Sequence, residues 1–275
     1  MSLCTVSFFI CLVMIDKIYF TEVILLTKSY NLQDFKDWLH WHLDVIGFDH
    51  CLVLDNESSV DIKSVCDSYG DKVSYKLITG WVNQYKLYNK YVNESKAWWV
   101  LPIDDDEYLY MKNFDNVTDM LLYYQEKWRD MDKLSVRWQN MFPSDPVAER
   151  TTSLQEFCKN SNEKWADLFD GGNKPVKTFV KGTGFVKYCE ETGETHNPQL
   201  NNKKSYLCNG ERLKRNWYWG PNTDDDVKLY HYQYKSAKEW LWKCKNRLAI
   251  YGKKPFIYVK GQEDIVLKMQ QIGNP

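Results

Sequence analysis

Trp98-Trp99-Val100-Leu101-Pro102-Ile103-Asp104-Asp105-Asp106-Glu107-Tyr108-Leu109-Tyr110 decides how this chain of 275 residues is read. Its first six residues carry no charge and include two tryptophans, as expected for a strand covered on both faces rather than one with a wet side. Four consecutive acids follow, and carboxylates crowded at a strand terminus repel one another unless a cation or protons neutralise them. An acidic run met at random is most often a solvated turn. Here the apolar pattern resumes at once in Tyr108-Leu109-Tyr110, which a free surface loop has no reason to do. Along an extended chain Asp104 and Asp106 project to the same side, so this D-x-D pair can share one oxygen-seeking ion, Mn²⁺ or Mg²⁺, with positions left open for phosphate oxygens. Asp105 and Glu107 then point to the other side.

Working outward, strand and helix patterns alternate with short connections. Glu22–Thr27 reads as a strand, and Asn31–Leu43 as a helix with apolar Leu32, Phe35, Leu39 and Leu43 on one face. His50–Asp55 is a second strand, Val60–Tyr69 a second helix, Val73–Ile78 a third strand, Gln84–Ser95 a third helix and Ala97–Ile103 a fourth strand. Such alternation predicts an α/β fold around a parallel sheet, in which polar residues at the carboxyl ends of strands line the ligand crevice. That rule brings Thr27, Asp55 and Asp104 to Asp106 together from three separate strands. Beyond Leu109 the pattern loosens: a helix over Val117–Trp128, strands over Lys133–Trp138 and Lys177–Val186, a long loop-rich stretch over 190–226, and a helix capped by Ser236 running to about Leu248. With no internal repeat and no low-complexity linker, residues 21–275 read as one domain. Residues 21–110 form its nucleotide-binding half and 111–275 its acceptor-binding half, preceded by an apolar segment over 1–20.

Composition bounds the possibilities. Lys plus Arg number 36 against 37 Asp plus Glu, a balance that gives no support to nucleic-acid binding, yet residues 201–260 hold fourteen basic and five acidic side chains. A basic segment folded over an acidic, phosphate-binding site would use that asymmetry. The 12 Trp and 19 Tyr are compatible with stacking on sugar rings and equally with core packing. Eight cysteines without a C-x-x-C pair suggest neither a zinc site nor a disulfide scaffold, and Cys51 reads as a small buried hydrophobe. Leu3–Ile15 imitates a signal-peptide core but lacks a basic n-region, and it is shorter than the roughly twenty residues of a membrane helix. Membrane association through 3–15 is therefore not favoured. Asn56-Glu57-Ser58 is a formal glycosylation acceptor lying where the nucleotide pocket is expected, so a cytoplasmic location is expected.

The succession of a W-L-x-W-H-L helix (Trp38 to Leu43), L-D-N-E-S-S (Leu54 to Ser59), Gln84-x-x-x-Tyr88-Asn89, I-D-D-D-E-Y-L (Ile103 to Leu109) and H-Y-x-x-K-S (His231 to Ser236) resembles GT-A-fold glycosyltransferases of the family-2-like and family-92-like group, over roughly residues 21 to 245. The resemblance implies a GT-A fold with a central, mainly parallel mixed sheet flanked by helices. It implies metal-dependent transfer of a sugar from a UDP- or GDP-sugar to a hydroxyl on a glycan or glycoprotein, with inversion. By position it implies that Thr27 and Asp55 contact base and ribose, with Gln84 and Asn89 nearby. Asp104 would hold ribose or the metal and its water, and Asp106 the metal itself. His231 would ligate the metal or bind the diphosphate, and Lys235 would neutralise phosphate charge. Relatives carry W-x-x-F-G-S where this chain has Trp138 to Asp145 without the glycine. Asp145 is the first candidate for the base and Glu149 the second, the plain alternative for Asp145 being a turn aspartate before Pro146.

Two other function classes compete. A sugar-1-phosphate nucleotidyltransferase would share the fold and the carboxylates, but it would place a glycine-rich loop after the first strand, and Thr27-Lys28-Ser29-Tyr30-Asn31 has no glycine. A non-catalytic carbohydrate-binding protein would explain the aromatics but not three polar clusters at strand ends. A second triplet, Asp224-Asp225-Asp226, lacks a preceding apolar strand and reads as a solvated loop.

Overall fold

A computed structural model describes residues 17–145, 147–159, 175–182, 186–189, 194–200, 204–213, 226–246 and 267. The apolar segment over 3–15, most of the 190–226 stretch and the Asp224-Asp225 pair lie outside the described residues. In the amino-terminal half the elements run β1 (Tyr19–Thr27), α1 (Leu32–His40), β2 (His50–Asp55), α2 (Ile62–Ser68), β3 (Val73–Leu77), α3 (Gln84–Glu94), β4 (Ala97–Asp104) and β5 (Glu107–Met111). The remainder runs α4 (Val117–Lys127), β6 (Met131–Asn140), α5 (Leu154–Phe157), β7 (Val176–Lys181), β8 (Val186–Cys189), β9 (Glu194–Leu200), β10 (Lys204–Leu207), β11 (Val227–His231) and α6 (Ala237–Asn246).

A nine-stranded sheet in the order β3-β2-β1-β4-β7-β6-β11-β5, with β10 added beside β6, runs through both halves of the chain. Its pairs β2/β3, β1/β2, β1/β4, β6/β10 and β6/β11 are parallel, while β7 against β4 and β6, and β5 against β11, are antiparallel. The fold is thus α/β with a mainly parallel mixed sheet, as the alternation predicts. Successive residues of the central strands are buried on opposite faces. Val23, Leu25, Cys51, Val53, Trp99, Leu101 and Ile103 pack with α1, α2 and α4, whereas Ile24, Leu52, Leu54 and Val100 pack with Tyr85, Tyr88, Tyr91 and Val92 of α3. Burying one such side chain contributes about 1.5–3 kcal/mol, which is why these strands read as unbroken apolar runs. Part of the aromatic excess is used in packing: Trp38, Trp99, Trp240, Tyr88, Tyr108 and Tyr188 are among the largest fully buried side chains. Cys51, Cys66, Cys158 and Cys208 are buried free thiols.

Helix α1 shows how local sequence serves the site. Asn31 caps it by accepting from the N–H groups of Gln33 and Asp34, and the expected apolar face is buried through Phe35, Trp38 and Leu39. The predicted continuation to Leu43 is a π turn over Trp41–Val45. Gly47, with φ +80°, then turns the chain toward β2. Trp38 Nε1 donates to the carbonyls of Asp104 (3.2 Å) and Glu107 (3.0 Å), and Trp41 Nε1 donates to Leu109 O at 2.8 Å. Leu109 N–H in turn donates to His42 Nε2 at 3.4 Å. The W-L-x-W-H-L helix is therefore a clamp on the backbone of the acidic turn. Among the described residues no helix is long and apolar enough to cross a membrane.

Candidate functional site

Backbone register assembles the site. Thr27 stands beside Asp55 at the end of the β1/β2 pair, and Leu26 beside Asp104 at the end of β1/β4, so the three predicted clusters share one sheet edge. Thr27 Oγ1 donates to Asp105 Oδ2 at 2.6 Å, joining two of them directly. Asp55 accepts from Ser58 N–H (2.8 Å) and from the Tyr75 hydroxyl (2.7 Å). The loop that follows is pinned by Asn56 Nδ2, which donates to the carbonyls of Ile78 and Gly80, both at 3.0 Å. Glu57 in that loop takes φ +57°, a left-handed conformation seldom adopted by a non-glycine residue.

The acidic run itself departs from the extended-chain expectation. β4 ends at Asp104, Asp105 and Asp106 form a turn, and β5 begins at Glu107. A reversal of direction replaces the two-residue alternation, and the carboxylates of Asp104 and Asp106 acquire different neighbours. Asp104 Oδ2 accepts from Lys177 Nζ at 2.9 Å, and its Oδ1 from Gln84 Nε2 at 3.2 Å. Burial pushes the Asp104 carboxyl up, and the Lys177 ammonium holds it below the ordinary carboxylate value. Glu107, wholly buried beneath the turn, accepts from the Asp104 N–H at 2.8 Å, and Lys177 lies 3.4 Å from the same oxygen. Desolvation, with Asp104 and Asp106 nearby, pushes Glu107 up to about 8 despite that lysine.

Asp106 looks the other way, toward β11 and α6. β11 lies between β5 and β6, and its register sets His231 beside Glu107 on one side and Asn140 on the other. Tyr232 N–H donates to Asp106 O at 2.8 Å and locks this crossing. His231 Nε2 stands 3.6 Å from Asp106 Oδ1, and His231 Nδ1 lies 3.0 Å from Asn140 Oδ1. Burial pushes the His231 imidazole below its ordinary value, against the pull of Asp106, so the ring is neutral near pH 7. Lys243 Nζ of α6 donates to the second oxygen, Asp106 Oδ2, at 2.8 Å. Part of the basic carboxyl-terminal segment thus does fold over the acidic turn. Together, Tyr30, Asp105, Asp106, Gln233, Lys235, Glu239, Trp240 and Lys243 line a solvent-open crevice.

The remaining predicted residues have definite places. Asn89 Nδ2 donates to Tyr188 O (2.9 Å) and its Oδ1 accepts from Tyr188 N–H (2.6 Å), which fastens α3 to β8. Lys235 pairs with Asp34 at 3.4 Å. Asp145 lies exposed and accepts from the N–H groups of Val147 and Ala148, a turn-forming role. Glu149 is exposed and paired with Lys238 at 2.6 Å, which pulls its carboxyl below the ordinary value.

No family model and no curated protein matches this chain. Solved structures resemble it weakly. S. aureus TarS 1-349 in complex with UDP matches at 18% identity with a TM-score of 0.34, over 47% of this chain and 40% of that one. In that complex the match spans less than half of the TarS length. Another structure of S. aureus TarS 1-349 matches at 13% identity and a TM-score of 0.42, over 93% of this chain and 81% of that one. A 4-diphosphocytidyl-2C-methyl-D-erythritol synthase from Anaerococcus prevotii matches at 11% identity and 0.33, over 62% and 73%. At such scores these likenesses carry no weight for the site, whose chemistry rests on its own geometry.

That geometry can be asked whether it suits a divalent cation. Among the described residues no group of three or more His, Cys, Asp or Glu side chains is arranged as a complete protein cage. Asp106 Oδ1 and His231 Nε2 nevertheless face each other at 3.6 Å, a carboxylate and an imidazole of the kinds that divalent cations take as ligands. The Asn140 contact to Nδ1 fixes the ring orientation, as outer partners of metal-bound histidines do. With two such groups, a bound ion would need substrate oxygens and water to complete its shell, a mode Mg²⁺ and Mn²⁺ accept. Asp104, committed to Lys177 and Gln84, is not part of that facing pair.

Three features escaped the sequence reading. Lys177 stands out only as one charge in Val176-Lys177-Thr178-Phe179-Val180, a signal of a buried cation whose partner the sequence does not name. Lys243 is one of the fourteen basic residues over 201–260, with nothing local to name its partner. Arg150 joins Asp34 (2.7 Å) and Glu239 (2.7 Å) in a largely buried ion network that ties α1, the 150 segment and α6 together. Its members lie far apart in sequence, and nothing local pairs them.

Proposed function

We propose that this chain is a glycosyltransferase that moves a sugar from a UDP- or GDP-sugar to a hydroxyl on a glycan or glycoprotein, using Mn²⁺ or Mg²⁺. The observation that carries the reading is the Asp106–His231 pair at the carboxyl edge of a mainly parallel sheet, beside Thr27 and Asp55. Strand-end carboxylates such as Asp55 can accept hydrogen bonds from a nucleoside, and the Thr27 hydroxyl can donate or accept. The cation, when bound by Asp106 and His231, would neutralise the departing diphosphate. Gln84 and Tyr88 hold Asp104 in place from α3. Lys235 and Lys243 supply positive charge along the crevice where phosphates would lie. Asp145 is the proposed general base for an inverting transfer, ahead of Glu149, whose carboxylate is already engaged by Lys238.

Incubating the protein with a panel of UDP- and GDP-sugars, Mn²⁺ and glycan acceptors, and measuring nucleoside diphosphate release, tests this directly. The expected result is Mn²⁺-dependent release with at least one donor, abolished in Asp106→Ala. No release and no nucleotide binding with any donor, with Asp106→Ala indistinguishable from the parent, would contradict it.

A further inference from the structure

We propose that Lys243 is an exchangeable counter-ion that holds Asp106 while the divalent cation is absent and transfers to the diphosphate when the cation arrives. This rests on the metal and nucleotide reading of the same site and adds a mode of regulation to it.

Asp106 is 3% exposed, and a carboxylate so buried is costly to keep charged without a cation close by. His231 Nε2 stands 3.6 Å from its Oδ1, and Lys243 Nζ is nearer, donating to Oδ2 at 2.8 Å. The two other lysines at the site are committed differently. Lys177 is 1% exposed and shared between Asp104 and Glu107, and Lys235 is paired with Asp34 beneath the Tyr30 ring. The Lys243 side chain is 20% exposed and reaches across the crevice from the second turn of α6 on a flexible stem. Its base is anchored: Trp240, one turn earlier, is buried, and Glu239 is held by Arg150 and accepts from the Ser236 hydroxyl at the start of the helix. The head can therefore move while the helix stays.

A doubly charged ion between Asp106 Oδ1 and His231 Nε2 would repel the ammonium about as strongly as the carboxylate attracts it. Lys243 would then be released from Asp106, and the nearest new negative charge would be the nucleotide's diphosphate, within the same crevice. A cation and Lys243 thus compete for Asp106 in the donor-free protein and cooperate once the nucleotide is present. No bond is made or broken in this exchange.

The two halves predict opposite signs for one substitution. Titrating the full chain with Mn²⁺ alone, Lys243→Met and Lys243→Gln should bind about tenfold more tightly than the parent, and Asp106→Asn should lose binding. At saturating Mn²⁺, the same two variants should bind UDP or GDP, whichever the parent takes, about tenfold more weakly. Unfolding curves confirm that each variant is folded. Mn²⁺ affinity unchanged or weakened in both Lys243 variants, while Asp106→Asn still abolishes it, would overturn the exchange and leave the metal reading standing. Tighter Mn²⁺ with unaltered nucleotide affinity would overturn the transfer to diphosphate. No Mn²⁺ binding by the parent or any variant would overturn both.

Discussion

The two outer aspartates of one tripeptide are neutralised in opposite ways. Asp104 meets a lysine that rises from the middle of the sheet, is 1% exposed and is bracketed by a second acid, Glu107. Asp106 meets a lysine hung from a helix over open solvent, with a neutral histidine on its far side. In the first arrangement the lysine is sealed in the sheet and shared between two acids, although Asp104 itself is 29% exposed. The second can be remade by a ligand. The lesson is that the two carboxylates of one D-x-D have different surroundings: Asp104 is tied to the sheet through Lys177, and Asp106 faces the crevice, where binding is proposed.

Lys177→Met probes the first site and should be the most damaging change to stability. It strands Asp104 and Glu107 without a cation in the sheet, at a cost of about 3–5 kcal/mol in denaturant unfolding. Lys243→Met removes a lysine that is 20% exposed rather than sealed in the sheet, and should cost less, about 1–3 kcal/mol. Equal losses would erase the distinction. Asp106→Asn inverts the pattern, with unfolding free energy within about 1 kcal/mol of the parent and at least about a hundredfold loss of turnover.

Trp38→Phe tests the clamp that holds both sites in register. It removes the indole donor to Asp104 O and Glu107 O while keeping much of the packing, and should cost about 1–3 kcal/mol because a part-buried and a buried carbonyl lose a partner. A smaller effect is expected at acid pH. Burial raises the Glu239 carboxyl, but the Arg150 guanidinium and Lys235 lower it further, to about 2 from an ordinary 4.5. A depressed folded value means stabilisation that is fully present above about pH 4.5 and is lost as pH falls toward 2. Thermal unfolding across that window should fall more steeply for the parent than for Glu239→Gln, and parallel curves would remove the Arg150 network from the account.

Much of this was legible in the sequence, for physical reasons. Covered strands must be apolar on both faces, so Val23–Leu26, Leu52–Leu54 and Trp99–Ile103 announced the parallel half of the sheet. The strand-end rule then placed Thr27, Asp55 and the acidic turn on one edge. The reversal at Asp105-Asp106 was missed because four polar residues carry no periodicity to read. The Lys177, Lys243 and Arg150 pairings were missed because an ion pair between distant segments leaves no local pattern. His231 was found through motif resemblance, and the strand register explains why it meets Asp106.

The central claim is that Asp106 and His231 hold a divalent cation on which a nucleoside diphosphate is bound. Calorimetric titration of UDP and of GDP into the parent, Asp106→Asn and His231→Gln, each with and without Mn²⁺, tests it most directly. The account predicts Mn²⁺-dependent binding of one nucleotide by the parent, lost in Asp106→Asn and weakened in His231→Gln. Nucleotide binding that ignores Mn²⁺ and survives both substitutions would contradict it.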